Sequence, residues 1–572
     1  MAIDREVNNV GMTVTETARQ LPQGVAIAAA TRKRRQGRRV YQTISFAELA
    51  ARSDSIAAGF EQWGVAPGTR IALMVPPGID FVAFVFGLFK AGMVVILIDP
   101  GMGRRNMLTC LSEAAPRGVV GIRAAQLART LFRGRFPDCR YNVLVGGRFW
   151  PGCRSAAAIE QSGHEHLNGQ PFQPPTTSWE ESAAIIFTTG STGPPKGVLY
   201  RHRVFIEQAR QIQQYFQIQP GTVDVSGFPL FALFNTAMGT TTVFPWMDPT
   251  RPADVDPREI IDAVEQFSAR QSFGSPALWN TVSRYCERQG YRLPQLKRVL
   301  SAGAPVPAHV LKRIRAIIDD EGDVFTPYGA TESLPVACIS ATDVLAETEA
   351  LTAQGRGICV GRRFPDIDWQ IIEIDDGPIA TIDEATRLPP GEIGELIVRG
   401  NVVTDQYVTR TEANALHKIV DGDSFWHRMG DVGYLDASGR FWFCGRKSHR
   451  VQTGEATLFT IPCEAIFNNH PKIYRSALVG IGTAGDQIPV LIAEPWPEHW
   501  PARKSEREAL QRELEQRARS HPQTRPIKHV LVKKSLPVDI RHNSKIFREQ
   551  LRGWAATVLS PSIGRSATGD SV

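Results

Sequence analysis

Apolar runs alternate with amphipathic stretches along the first half of the chain. Four apolar runs bounded by turn residues predict buried strands, at 70–75, 94–98, 183–189 and 296–301. Four stretches with apolar residues three and four positions apart predict helices, at 45–63, 203–216, 257–267 and 307–319. Ser45 and Glu48 have the spacing of a capping box at the start of the first helix. This alternation indicates an α/β fold with mostly parallel sheets.

The pattern changes past residue 360. Short strands bounded by turns predict a smaller β-rich subdomain, at 367–374, 392–399 and 440–444. Further on, helix and strand patterns predict a small α+β domain, at 462–470, 476–481, 489–493, 503–520 and 530–533. We therefore expect a large two-lobed α/β N-terminal domain over residues 1–446 and a small mobile C-terminal domain over residues 447–558. Residues 559–572 are rich in Ser and Gly and predict a disordered tail.

Composition indicates a globular protein with more than one core. The chain has 572 residues, of which 42% are apolar and 22% are charged. Its net charge of +7 is small for this length, which argues against nucleic acid as a partner. The basic run at 32–39 predicts a solvated hairpin loop, with contact to an anionic surface as the alternative. The eight cysteines form no CxxC pair, so we expect reduced thiols in a cytoplasmic protein.

The sequence also argues against a membrane span, a secretion signal and a histidine metal site. Residues 81–98 are strongly apolar, but Lys90 and Gly92 interrupt them, which predicts a buried helix, a turn and a buried strand instead of a transmembrane span. The start of the chain also lacks the apolar core of a signal peptide. His164 and His166 are two positions apart and are expected to lie in a loop without binding a metal.

Residues 185–198 lead from an apolar strand into a loop suited to holding phosphate. Hydroxyl side chains, glycines and a lysine are combined there, in Thr188, Thr189, Gly190, Ser191, Thr192, Gly193 and Lys196. The loop lacks the Walker pattern because Gly197 follows Lys196, which disfavours ordinary P-loop phosphotransfer. Such a loop indicates a nucleotide ligand, and a plain mobile turn is the alternative.

Five further motifs follow in order along the chain, at 301–305, 328–332, 391–396, 429–433 with 445–446, and 543–545. Together with the phosphate loop they closely resemble the adenylate-forming superfamily of acyl-CoA synthetases, peptide-synthetase adenylation domains and luciferases. The resemblance covers roughly residues 10–555. It implies the adenylate-forming fold and activation of a carboxylic acid by ATP.

The resemblance also implies roles for individual residues. Thr188 to Lys196 would hold the ATP phosphates, Thr331 would contact the α-phosphate and Glu332 would hold Mg²⁺. Lys545 would be the catalytic lysine of the small domain. The remaining nucleotide contacts would be Gly303, Ala304, Pro305, Tyr328 and Gly329 around the adenine, and Asp431 and Arg446 at the ribose. Taken singly, the minor alternatives are a turn cap for Asp431 and a solvated charge for Glu332.

Where the chain departs from the usual superfamily pattern, its sequence resembles one branch, the β-lactone synthetases of olefin biosynthesis. This resemblance rests on 328–335, 447–467 and 537–547, with Ser448 at the hinge and Ser544 beside the catalytic lysine. It implies adenylation of a long-chain β-hydroxy fatty acid, followed by attack of its own hydroxyl to give a β-lactone and AMP. It further implies cooperation with thiolase-like, reductase and hydrolase-like enzymes.

The histidine or aromatic residue that usually follows Pro-Leu-Phe is missing after Phe231, and Phe231, Ala232 and Phe234 suggest an apolar entry for the acyl chain. They are equally well explained as ordinary core. Two alternatives to β-lactone formation stay open: a medium- or long-chain fatty acyl-CoA ligase, and an inactive acyl- or nucleotide-binding subunit of a multienzyme assembly.

Overall fold

The computed structural model describes residues 7–188, 194–538 and 546–566, with side chains up to residue 560. The α-helices are α1 (Thr13–Gln20), α2 (Phe46–Gln62), α3 (Ile79–Lys90), α4 (Arg104–Glu113), α5 (Arg123–Leu131), α6 (Ala156–Leu167), α7 (His202–Tyr215), α8 (Phe231–Ala237), α9 (Pro257–Gln266), α10 (Pro276–Gln289), α11 (Ala308–Ile317), α12 (Ala341–Asp343), α13 (Glu349–Ala353), α14 (Ala413–His417), α15 (Thr460–Asn468), α16 (Lys504–Arg519) and α17 (Arg548–Ser566).

The strands are β1 (Val25–Arg35), β2 (Arg38–Ser45), β3 (Arg70–Met74), β4 (Val94–Leu97), β5 (Gly118–Gly121), β6 (Tyr141–Leu144), β7 (Arg154–Ser155), β8 (Ser182–Phe187), β9 (Gly197–Arg201), β10 (Val223–Ser226), β11 (Thr241–Phe244), β12 (Gln271–Gly274), β13 (Arg298–Ser301), β14 (Asp323–Ala330), β15 (Ser333–Ser340), β16 (Ile358–Arg363), β17 (Ile367–Ile372), β18 (Gly394–Gly400), β19 (Lys418–Asp421), β20 (Ser424–Leu435), β21 (Phe441–Arg446), β22 (Val451–Gln452), β23 (Thr457–Leu458), β24 (Ile473–Ile481), β25 (Ile488–Pro495) and β26 (His529–Val532).

The chain divides into two compact units. The first comprises residues 1–338, 364–368 and 398–427, and the second comprises 339–363, 369–397 and 428–572. The sequence-based boundary between residues 446 and 447 lies inside the second unit and stays a prediction.

Mostly parallel strands form both sheets of the first unit. One sheet has the order β7-β6-β5-β3-β4-β8-β9, and its neighbours are parallel except for the hairpin β8–β9. A second series, β14-β13-β12-β10-β11-β1, is parallel throughout, and β2 pairs antiparallel with β1. The α/β prediction is therefore confirmed, and loops after parallel strands come together along one edge of each sheet.

The capping box at the start of α2 is confirmed. The Ser45 hydroxyl accepts from the Glu48 amide at 3.2 Å, and the Ser45 amide donates to the Glu48 carboxylate at 2.8 Å. Helix α2 packs against α6 at very close range. A Cβ placed on Gly163 would lie 1.8 Å from the carbonyl oxygen of Ser55, so only glycine permits this crossing.

The apolar stretch 81–98 forms the buried helix, turn and strand that its interruptions predict. Helix α3 is buried over its whole length, Gly92 takes a left-handed φ of +70°, and β4 follows. Among the helices of the described residues, none combines the length and apolarity that crossing a bilayer requires.

The prediction that His164 and His166 lie in a loop is wrong. Both lie in the last turns of α6, which Ser155 caps by accepting from the Ala158 amide at 3.1 Å and which ends at left-handed Asn168. The spacing of the two histidines did not bear on whether a helix forms there, and packing of α6 on α2 stabilises the helix. In the part of the chain that the structure describes, no cluster of three or more His, Cys, Asp or Glu side chains is suited to a metal ion.

The basic run at 32–39 forms the predicted hairpin, with left-handed Gln36 and Gly37 at the turn between β1 and β2. It is less solvated than expected. Arg39 is buried, and the guanidinium groups of Arg34 and Arg39 both pair with the Glu259 carboxylate. The eight cysteines are free thiols, as predicted.

The second unit contains mostly antiparallel strands. Strands β20 and β21 pair antiparallel, and β16 continues this pairing beyond β21. Strands β24, β25 and β26 form a separate sheet covered by α15 and α16. The thin apolar face predicted for α16 is confirmed, since Leu510, Leu514 and Ala518 are buried. Helix α17 continues to Ser566, past the predicted start of the tail, and residues 567–572 lie outside the described residues.

Candidate active site

The base of the phosphate loop is a closed turn between β8 and β9. The Thr188 amide donates to the Lys196 carbonyl at 3.0 Å, and the Lys196 amide donates to the Thr188 hydroxyl at 3.1 Å. The structure thus fixes both ends of the loop at the carboxyl end of β8. Five predicted phosphate contacts lie outside the described residues: Thr189, Gly190, Ser191, Thr192 and Gly193.

Lys196 and Glu332, which are 136 positions apart in the chain, lie on either side of one tyrosine. Lys196 Nζ is 3.2 Å from His417 Nε2 and 4.9 Å from the ring centre of Tyr407. The Tyr407 hydroxyl donates to Glu332 Oε1 at 2.8 Å. The Lys196 ammonium and the Glu332 carboxylate therefore both contact Tyr407. A cation and a carboxylate this close together suit a phosphate chain with a hard metal ion.

Thr331 and Glu332 lie in the tight connection between β14 and β15, whose backbone is held from two sides. The Tyr200 hydroxyl donates to the Thr331 carbonyl at 2.6 Å. The Thr404 amide and hydroxyl donate to the Glu332 carbonyl at 2.9 and 3.0 Å. Both side chains are half-buried, so the connection presents them from a fixed backbone.

The residues predicted to frame the adenine end up next to each other. Gly303, Ala304 and Pro305 follow β13, and Tyr328 and Gly329 lie near the end of β14. Strands β13 and β14 are parallel neighbours, so these residues share the carboxyl edge of the sheet with Glu332. Gly303 adopts a φ of +95°, which favours glycine at this turn.

Lys418 is a site residue that the sequence did not reveal. Its ammonium donates to the Thr404 carbonyl and lies 5.9 Å from the Tyr407 ring and 5.1 Å from the Phe425 ring. Burial lowers the pKa of Lys418 to about 7, although Glu332 and Asp405 favour its charged form. No motif surrounds this lysine, and only the tertiary structure shows its position.

His427, beside Lys418, is held neutral. His427 Nδ1 is 3.2 Å from the His417 carbonyl, and burial together with Lys418 lowers the pKa of His427 well below its ordinary value. Tyr200, Tyr407 and His417 were also missed, because their contacts join segments far apart in the chain. The cluster thus combines Lys196 and Lys418 with Glu332, while the nearby Asp405 pairs with Arg201, and this balance favours an anionic ligand.

Asp431 and Arg446 are directly paired in the second unit. They face each other across β20 and β21, and their side chains approach to 3.0 Å. The Arg446 guanidinium also donates to the Met429 carbonyl at 3.1 Å. Asp431 is buried and Arg446 is half-buried, so both predicted ribose contacts are held in place by one ion pair.

The motif at 391–396 contributes a buried carboxylate to the same unit. Glu395 pairs with Arg428 at 2.6 Å and with Lys447 at 3.0 Å, and Glu395 and Arg428 are almost fully buried. Lys447 directly precedes Ser448, the predicted hinge residue. This carboxylate therefore anchors the chain next to the hinge.

Lys545 lies outside the described residues, but both ends of its loop are visible. Val538 and Ile546 form an isolated antiparallel bridge, and the Phe547 amide donates to the Pro537 carbonyl at 2.9 Å. Arg548 then pairs with Glu464 on α15.

The three residues proposed for the acyl entry lie on α8 and are buried. Phe231 stacks on Phe273 with ring centres 4.2 Å apart, and Phe234 approaches Phe205 at 6.3 Å. These contacts are those of a packed core, and the role of Phe231, Ala232 and Phe234 in acyl binding stays a prediction.

A turn that closes the predicted phosphate loop, a carboxylate near a lysine, and a paired acid and arginine agree with what an ATP-dependent acid-activating enzyme requires. Residues 14–408 match the family model described as AMP-binding enzyme, and the chain belongs to this family. It is an AMP-forming ligase with the predicted adenylate-forming fold.

Two relatives from bacteria align along nearly the whole chain. An olefin β-lactone synthetase of Xanthomonas campestris pv. campestris is 45% identical over 96% of this chain and 97% of its own length. One from Stenotrophomonas maltophilia is 43% identical over 96% and 98%. Among solved structures, an amide bond synthetase from Marinactinospora thermotolerans matches with a TM-score of 0.76 and 18% identity, over 95% of this chain and 99% of the other.

Proposed function

We propose that this enzyme adenylates the carboxylate of a long-chain β-hydroxy fatty acid and closes the adenylate to a β-lactone. The observation that carries the proposal is 45% identity over 96% of the chain to an olefin β-lactone synthetase. A shared fold alone would not distinguish this reaction from other acid activations, because one fold serves several chemistries.

In the first step a carboxylate oxygen attacks the α-phosphorus of ATP, and the bond to the β-phosphate oxygen breaks to release pyrophosphate. Negative charge grows on the phosphate oxygens, and Lys196 is placed to offset it. Tyr407 orients the Glu332 carboxylate through its 2.8 Å hydrogen bond. The Glu332 carboxylate is a hard oxygen ligand that fits Mg²⁺, which would supply charge neutralisation at the phosphates.

In the second step the β-hydroxyl oxygen attacks the acyl carbonyl carbon, and AMP leaves with the electrons of the broken bond. The hydroxyl gives up its proton, so the products are a β-lactone and AMP. Because the attacking oxygen belongs to the same molecule, it stays within a few bonds of the carbonyl, and no thiol has to diffuse in.

The test is product analysis by mass spectrometry with purified enzyme, ATP, Mg²⁺ and a 3-hydroxy fatty acid, with and without CoA. We expect β-lactone and AMP in both cases. The matched control is the same acid without its hydroxyl, which should stall as a bound adenylate. A requirement for CoA, with acyl-CoA as product, would establish the fatty acyl-CoA ligase alternative instead.

Lys545 is proposed as the cation that moves to the α-phosphate and carboxylate. Lys545→Ala should lower acid-dependent pyrophosphate release by about a hundredfold or more. The thermal midpoint should stay within a few degrees of the native one, since the role proposed for Lys545 is catalytic. If the native enzyme itself releases no pyrophosphate with any acid, the chain is an inactive binding subunit.

The proposal extends to partners and location. The β-hydroxy acid would be supplied by thiolase-like and reductase enzymes, and the lactone would be consumed by a hydrolase-like enzyme, all in the cytoplasm. Affinity purification of the tagged chain from its own cells would test this, and recovery of the chain alone would argue against a stable assembly.

A further inference from the structure

Residues 117–154 of the first unit differ sharply in charge from the rest of the chain. This segment contains eight arginines, no lysine and one acidic residue, Asp138. Outside this segment the chain has 57 basic and 57 acidic residues, whose charges cancel. The net charge of the segment, +7, therefore equals the net charge of the whole chain. The excess of positive over negative charge in this protein therefore lies in one short segment.

The same segment exposes large apolar side chains. They lie on the outer face of α5, just after it, and on the loop that follows β6. The exposed fractions are 47% for Leu127, 70% for Leu131, 44% for Phe132 and 76% for Phe149. These values are high for side chains of this size, and clustered exposure of this kind marks an interaction surface.

Two contacts show that the loop after β6 runs along α5. Trp150 Nε1 donates to the Thr130 hydroxyl at 3.4 Å, which places the residue after Phe149 against the last turn of the helix. At the other end, a Cβ placed on Gly147 would lie 3.4 Å from Arg123 Nε, in the first turn. The helix and the loop thus form one surface.

We call this surface the arginine-ringed patch and define it by four apolar and four basic side chains: Leu127, Leu131, Phe132, Phe149, Arg123, Arg133, Arg135 and Arg148. All four arginines are exposed. Within the residues that the structure describes, none of the four forms an ion pair with a carboxylate. The basic hairpin differs, because Arg34 and Arg39 share Glu259 there.

An occupant of this patch has to supply both negative charge and an apolar phase. An anionic phospholipid surface supplies both, because its phosphates bind guanidinium groups and its headgroup boundary accepts leucine and phenylalanine side chains. Nucleic acid supplies the charge but no phase for leucine. We propose that the arginine-ringed patch binds the enzyme peripherally to an anionic bilayer, independently of the reaction it catalyses.

The experiment is flotation of the full-length enzyme with vesicles of phosphatidylcholine containing about one-third phosphatidylglycerol, against vesicles of phosphatidylcholine alone. We expect binding to the mixed vesicles only, weakened by high salt. Changing Arg123, Arg133, Arg135 and Arg148 together to Gln should weaken it several hundredfold, about fivefold for each arginine. Leu131→Ser with Phe149→Ser should weaken it about tenfold or more.

Matched controls distinguish binding by the patch from nonspecific effects of net charge and of exposed apolar side chains. Changing Arg32, Lys33, Arg35 and Arg38 to Gln removes the same charge from the exposed part of the hairpin and should leave binding nearly unchanged. Val558→Ser removes an apolar side chain that is 43% exposed elsewhere and should do likewise. Each variant should keep the native thermal midpoint and ATP–pyrophosphate exchange with a short, soluble acid.

Three outcomes would overturn the proposal. One is that the native enzyme fails to float with the anionic vesicles. Another is an equal loss in the hairpin variant, which would reduce the effect to net charge. The third is that Leu131→Ser with Phe149→Ser converts an oligomer into a monomer and leaves flotation unchanged, which would make the patch a contact between copies of the chain.

Discussion

Lys90 is buried and Lys418 is half-buried in the first unit, and their surroundings are opposite. Lys90 on α3 donates to the Asp54 carboxylate at 2.6 Å and to the Ala50 carbonyl at 3.2 Å. Lys418 on β19 contacts a carbonyl and two aromatic rings, and among the described residues it forms no ion pair with a carboxylate. One charge is neutralised within the fold and the other is not.

The difference separates a structural from a functional use of the same side chain. A buried ion pair mainly prevents the penalty that either partner would cause alone. A lysine whose pKa is lowered to about 7 is poised to gain its proton when an anion binds beside it. Lys418 lies in the cluster of Lys196, Tyr407 and Glu332, so the phosphates of ATP are the anions we expect there.

The largest effect should come from breaking the structural pair. Lys90→Met leaves the Asp54 carboxylate buried without its partner, so we expect a loss of about 3–5 kcal/mol in the free energy of unfolding. Chemical denaturation measures this loss. Asp54→Asn added to Lys90→Met should restore part of it, and a double variant no more stable than the single one would contradict the pair's assignment.

Lys196→Met should act on catalysis and not on stability. Removing this cation should lower ATP–pyrophosphate exchange about a hundredfold, because it offsets charge that grows in the transition state. Differential scanning calorimetry should show a thermal midpoint within a few degrees of the native one, since Lys196 is only half-buried. A large drop in the midpoint would place Lys196 in the same structural class as Lys90.

Glu332→Gln separates charge from hydrogen bonding in the cluster. The amide oxygen still accepts from Tyr407 but binds Mg²⁺ more weakly, so we expect about a tenfold higher Mg²⁺ requirement for adenylation. Titration of activity with Mg²⁺ measures it. Tyr407→Phe is the matched control, since it keeps the carboxylate and removes the hydrogen bond; an equal change in both variants would assign the effect to orientation.

The remaining prediction concerns the pH dependence of stability that Lys418 sets. The folded pKa of about 7 lies below the ordinary lysine value, so between pH 7 and 10 the unfolded chain holds a proton that the folded chain lacks. Stability should therefore rise with pH over this window, by at most about 1.4 kcal/mol per pH unit from this group. Lys418→Met should flatten the profile of denaturation midpoints measured at pH 7, 8 and 9; an unchanged slope would contradict the lowered pKa.

Local sequence predicted the elements well where local forces decide them. The capping box of α2, the Gly92 turn and the apolar face of α16 all follow from residues close in the chain. Glu332 and Asp431 were identified through their motifs, because such motifs keep a fixed spacing within one loop or hairpin. His164 and His166 were misplaced because packing between α6 and α2 decided that segment.

Charge shows the same division. Sequence reading singled out the run at 32–39, where basic residues are consecutive, but Glu259 on α9 neutralises part of it. The arginines of 117–154 are dispersed along the chain and form no run, yet four of them are exposed on the same segment as exposed leucines and phenylalanines. Consecutive charge is visible in sequence, whereas unpaired charge is visible only in three dimensions.

The sequence by itself determined the family, the order of the α/β elements and the motifs that contain Lys196, Thr331, Glu332 and Asp431, because each motif depends on residues within one short segment. The tertiary structure alone decided which groups surround them. Tyr407, His417 and Lys418 join the site through contacts that span up to 221 positions, and Lys418 owes its lowered pKa to burial. Contacts and desolvation of this kind arise only when distant segments pack together, so no local pattern records them.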